Sequence, residues 1–83
     1  MKIEDFGFTP EVGKDYSIAF TQDGALIKHI VYDGSDLGEL SIKDGSTITV
    51  TVTDYETGKL LFNTDFVSYN GKLYKKVFQL PLK

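Results

Sequence analysis

The chain has no cysteine, no arginine and no tryptophan, and it carries a single histidine. Without cysteine, neither disulfides nor thiolate metal sites can supplement the core, and the redox compartment leaves no mark on the sequence. Without arginine, all nine basic side chains are lysines, point charges that lack the bidentate contacts by which a guanidinium reads phosphate, guanine and carboxylate. Twelve carboxylates oppose them, for a net charge of −3. Duplex-DNA reading is therefore disfavoured. No run approaches the roughly 18 apolar residues of a membrane span, and the acidic start, Glu4 and Asp5, lacks the basic and apolar stretches of a secretion signal. These absences predict a soluble protein with no membrane partner, and leave its location open.

What is present is β-sheet punctuation. Turn signals recur at Gly13, Asp23-Gly24, Asp33-Gly34, Asp44-Gly45, Gly58 and Asn70-Gly71, about every ten residues, and the runs between them are rich in Val, Ile, Thr, Tyr and Phe. Apolar residues at helical spacing are missing; at most one turn of helix is expected near 35–43 or after Thr9-Pro10. Strands are predicted at about 2–8, 15–21, 25–32, 38–42, 46–54, 60–69 and 72–80. Eighty-three residues suit one domain, 1–83, because chains of this size bury only roughly 60–65% of their unfolded surface. The predicted fold is all-β: a single small antiparallel β-sandwich, Ig-like, of about six to seven strands, with a small OB-like or SH3-like barrel as the alternative.

The turns also set register. An Asn70-Gly71 type I′ turn pairs Tyr69 with Lys72, Phe66 with Lys75 and Asp65 with Lys76. A three-residue Glu56-Thr57-Gly58 loop sets Val52 against Phe62 and Ile48 against Phe66. A loop one residue longer would carry polar residues into the core. One face then holds Ile48, Val50, Val52, Phe62, Phe66, Leu73 and Val77, with Lys75 and Gln79 at its margin. The other holds Thr47, Thr49, Thr51 and Thr53, with Asn63, Asp65 and Lys76, and also Leu61, Val67, Tyr69, Tyr74, Phe78 and Leu80. Burying groups such as Phe78, Tyr74, Val67 and Leu80 is worth on the order of 1.5–3 kcal/mol each, so this second face needs a cover. Phe6 and Phe8 are one candidate cover; a protein interface is the other. In the first hairpin, a two-residue Asp23-Gly24 turn puts His29 against the core with Ile27 and Val31, whereas a three-residue turn puts Lys28 there.

Sites for chemistry are weaker. Asp33-Gly34-Ser35-Asp36 with Glu39 gathers three carboxylates and a hydroxyl, but the spacing is not that of an EF-hand, and Asx-turns account for it. Asp44, Asp54 and Glu56 read as turn residues, and Tyr55 as an exposed tip. His29 is the obligatory base of any Ser/His/Asp set, yet no nucleophile elbow accompanies it, and the dispersed glycines form no phosphate loop. No enzyme, metal or cofactor is expected.

The segment Ile48–Leu60, ITVTVTDYETGKL, resembles the strand-turn-strand of bacterial and phage immunoglobulin-like modules and covers about a sixth of the chain. The resemblance implies architecture only, since the Cys and Trp of antibody domains are absent. The expected function is a non-enzymatic protein-protein interaction module, a bacterial or phage assembly component or a small inhibitor of a host protein, binding a protein partner or itself. Its candidate residues are Val67, Tyr69, Lys72, Tyr74, Lys76 and Phe78. The same alternation of tyrosine and lysine suits single-stranded nucleic acid, which the acidic balance and the nearby Asp65 disfavour, or a carbohydrate.

Overall fold

The computed structural model describes residues 2–34 and 37–75. Its strands are β1 Tyr16–Gln22, β2 Ala25–Tyr32, β3 Thr47–Asp54, β4 Leu60–Tyr69 and β5 Lys72–Lys75. They form one open antiparallel sheet in the order β2-β1-β3-β4-β5, so the threonine-rich β3 is central and β2 and β5 are edges. Strands predicted at 15–21, 25–32, 46–54 and 60–69 are present, and β3, its turn and β4 form the strand-turn-strand that the resemblance implied. The expected strand 72–80 begins as β5, and its part from Lys76 onward lies outside the described residues.

Two predicted strands are corrected. Residues 2–8 instead form a 3-10 helix, Ile3–Phe6. The Asp5 carboxylate accepts the Lys2 backbone N–H at 3.1 Å, and Gly7 ends the turn at φ +101°. The 3-residue period eclipses Ile3 and Phe6 on one side, and both are buried. Residues 38–42 form no strand. Gly38 takes φ +79°, and the segment crosses the sheet, held by the Lys28 ammonium donating to the carbonyls of Leu37 (2.8 Å) and Glu39 (3.2 Å).

Both two-residue turns carry the pair of positive φ angles a type I′ turn requires: Asp23 +49° with Gly24 +88°, and Asn70 +52° with Gly71 +76°. Tyr69 pairs with Lys72 and Phe66 with Lys75, as the second turn predicts; the expected partner of Asp65, Lys76, is outside the described residues. Val52 faces Phe62 and Ile48 faces Phe66, also as predicted, but by a different loop. Asp54 N–H donates to the Lys59 carbonyl at 2.8 Å, closing a loop one residue longer, and the pairing then skips Leu61. A bulge absorbs the extra residue and preserves the core set.

A second bulge decides the first hairpin. Gln22 pairs with Ala25 and Thr21 with Leu26, as the two-residue turn demands, but Phe20 pairs with Lys28, leaving Ile27 unpaired. Lys28, Ile30 and Tyr32 therefore share the face of Phe20, Ile18 and Tyr16, while His29 and Val31 point the other way. The expectation of His29 against the core is corrected: the turn length is the two-residue one, and the side-chain outcome is that of the longer turn. Lys28 satisfies the inward position by burying its stem and capping the crossing segment.

The core lies on one side of the sheet. Ile18, Phe20, Ile48, Val50 and Val52 are fully buried there, with Phe62, Phe66 and Leu73 around them. Phe6 packs between Phe20 and Phe66 at ring distances of 5.5 and 5.4 Å, and Phe8 between Tyr16 and Phe62 at 5.2 and 5.7 Å. Leu37, Leu40 and Ile42 of the crossing segment complete this layer. The segment is fastened at its end, where the hydroxyls of Ser46 and Ser68 both donate to the Lys43 carbonyl and Asp44 accepts the Asn70 N–H at 2.6 Å. Phe6 and Phe8 thus cover the face of Ile48 and Phe66, and the alternative that they cover the tyrosine face is corrected.

Candidate interaction face

The uncovered side of the sheet can be written as rows across the strands. One row reads Val31, Ser17, Thr53, Leu60; the next His29, Ala19, Thr51, Asn63; the next Leu26, Thr21, Thr49, Asp65; then Thr47, Val67, Tyr74; and last Tyr69, Lys72. Period-two alternation puts all of them on the side opposite the core. The structure brings four of the predicted binding residues together: Val67 beside Tyr74, and Tyr69 beside Lys72. Lys76 and Phe78, with Leu80, lie outside the described residues.

Leu26, Val31, Leu60, Tyr69 and Tyr74 are between 49% and 63% exposed. Among the described residues nothing packs over them, because both covering segments lie on the other face. Leu26, Val31 and Leu60 were not among the predicted residues. No local signal marks the Val31 position, since its orientation follows from the bulge at Ile27; only the longer-turn alternative for the first hairpin would have turned it outward. The bulge at Leu61 likewise sends Leu60 to the outer row with Thr53.

The polar middle of the face is internally bonded. Thr49 Oγ1 donates to the Asp65 carboxylate at 2.8 Å, and Thr53 Oγ1 donates to the Ser17 carbonyl at 3.4 Å. Ser17 Oγ on β1 and His29 Nε2 on the edge strand β2 lie 2.6 Å apart on the uncovered face.

The groups with shifted titration sit elsewhere, at the β3–β4 loop. Asp54 accepts the backbone N–H groups of Thr57 and Glu56 at 3.1 and 2.9 Å and pairs with Lys14 at 3.1 Å. The Thr57 N–H, then the Lys14 ammonium, hold its carboxyl below the ordinary carboxylate value, and the bond to Asp54 raises Lys14 in turn. This is an Asx-type clasp tying the segment before β1 to the loop, as the turn reading of Asp54 predicts.

Among the described residues no cluster of metal-ligating side chains occurs. Of the calcium candidates, Ser35 and Asp36 lie outside them. A cleft of about 230 Å³ between the crossing segment and the β4–β5 hairpin, lined by Leu40, Ile42 and Leu73, belongs to the covered side. No helix among the described residues is long and apolar enough to cross a membrane. No family model, curated protein or solved structure matches the chain.

Proposed function

We propose that this chain is a non-enzymatic protein-binding module whose sheet forms half of a two-layer β-sandwich, the other half being supplied by its partner. The single observation behind this reading is the uncovered face: five large exposed apolar side chains on one side of a sheet whose opposite side is already covered by Phe6, Phe8, Leu37, Leu40 and Ile42. Tyrosine, leucine and valine around a bonded threonine centre, with few charges, match the composition of interface cores. The sandwich is favoured over a barrel because β2 and β5 stand at opposite ends of the strand order. Assembly components and small inhibitors both work through such preformed faces, and the reading serves either.

The test is a paired affinity capture using the wild-type chain and a Tyr69→Ser/Tyr74→Ser variant. Proteins retained by the first and lost by the second, with circular dichroism and Tm unchanged, support the module. A variant that unfolds shows that the tyrosines are core, and removes the reading.

Single-stranded nucleic acid is the second reading, favoured by Tyr69 beside Lys72 with Tyr74 on the same face. Fluorescence anisotropy against short oligonucleotides at two salt concentrations decides it, since absence of binding at low salt excludes it. A glycan array decides the carbohydrate alternative on the same tyrosines.

A further inference from the structure

Building on that protein-binding reading, we infer that the partner is a second copy of this chain, packed sheet on sheet about a two-fold axis that runs along β3. The layout of the outer face is the argument. β3 is the central strand, its threonines lie on the midline, and the outer-face apolar groups fall in two strips on either side: exposed Leu26 and Val31 on β2, and exposed Leu60 and Tyr74 with half-buried Val67 on β4 and β5.

A rotation of 180° about a line over β3 keeps each row at its level and exchanges left for right. Tyr74, two strands to one side, then meets Leu26 of the copy, two strands to the other and one row along. Leu60 meets the copy's Val31 and Ser17 in the same row. The threonine ladder faces its own image, and Thr51 lies near the axis. Because the contact is isologous, every such meeting occurs twice.

Charge agrees with this placement. Among the described residues the rows carry two formal charges, Asp65 and Lys72. The rotation sets Asp65 over the neutral β1 row of the copy, two inter-strand spacings from the copy's own Asp65 on the far side of the axis. It sets Lys72 at the corner next to the copy's β1–β2 turn, where Asp23 stands. Unlike charges approach and like charges separate. Area agrees as well: five strands spaced about 4.8 Å, each with roughly seven residues at about 3.3 Å, present on the order of 500 Å² per copy, and the pair reaches the ~1,000 Å² at which specific interfaces begin. Two aligned sheets at about 10 Å separation form an ordinary sandwich.

The experiment is sedimentation equilibrium of the full chain over a wide concentration range, on wild type, Leu26→Glu, Tyr74→Lys and an equimolar mixture of the two variants. The expected results are a concentration-dependent wild-type dimer, each variant alone weakened by about tenfold or more in Kd, and dimer restored in the mixture, where the new carboxylate meets the new ammonium. Thr51→Lys, which places like charges near the axis, is a second variant should either substitution unfold the chain, and it too is expected to yield a folded monomer. A wild-type monomer at all concentrations overturns the inference. So does a dimer that survives every variant, or a mixture that stays monomeric while both variants dissociate. Nitration of Tyr69 and Tyr74 in a wild-type monomer then separates the two levels of the argument. Reactive tyrosines leave the face free for a different protein, whereas protected ones mean the chain covers itself, and the protein-binding reading falls too.

Discussion

Replacing Phe6 with alanine tests the layering of the whole molecule. The ring is 4% exposed and touches Phe20 on β1 and Phe66 on β4, the two strands that flank β3. Those anchors are held about 9–10 Å apart by two inter-strand spacings, so the gap left by the missing ring cannot close by their approach. Truncating a buried phenylalanine costs about 3–5 kcal/mol, with the higher values where collapse is prevented, and the upper half of that range is expected here. Against a total stability of about 5–10 kcal/mol for a chain of this size, half or more of the folding free energy is lost. Guanidinium or urea unfolding followed by circular dichroism measures it, with the midpoint shifting and the slope unchanged. Val12→Ala, at a position fully open to solvent, is the control and stays within about 0.5 kcal/mol of wild type. A loss below about 1 kcal/mol for Phe6→Ala refutes the assignment of the 3-10 helix as the lid of the core.

Three further outcomes are expected. The depressed carboxyl of Asp54 contributes stability that is fully present above its ordinary value of 3.8 and is lost as pH falls through the lower folded value; the raised Lys14 contributes below 10.5 and loses it as pH rises through its folded value. Unfolding free energy against pH therefore bends at both ends. Asp54→Asn flattens the acid limb, and an unchanged acid limb contradicts the clasp. Deleting Ile27 removes the bulge and keeps Phe20 opposite Lys28, so cross-strand nuclear Overhauser contacts between Ala19 and His29 persist; a one-residue slide that brings His29 to Phe20 would show that the bulge does not set the register. Lys28→Met keeps the apolar stem and removes the donors to Leu37 and Glu39, costing about 1 kcal/mol and speeding amide exchange in 37–42; unchanged exchange there means the ammonium does not hold the crossing segment.

The local chemistry of the chain determined its strands and both tight turns. Asp23-Gly24 and Asn70-Gly71 demand paired positive φ, and the Val/Thr alternation of β3 leaves one choice of inner face, so β1, β3, β4, β5 and the tyrosine side of the sheet were legible from residue order. The packed state decided the rest. Ile27 and Leu61 become bulges because the core must keep Phe20, Val52 and Phe62 inward, and that demand acts between strands rather than along them. Residues 2–8 and 38–42 have strand-like composition, yet both cross the sheet instead of pairing with it. One exposed apolar face needed covering, and Gly7 and Gly38 give the backbone the turns that crossing requires. Which side of the sheet received that cover, and so which side was left open to a partner, depends on contacts between residues far apart in sequence.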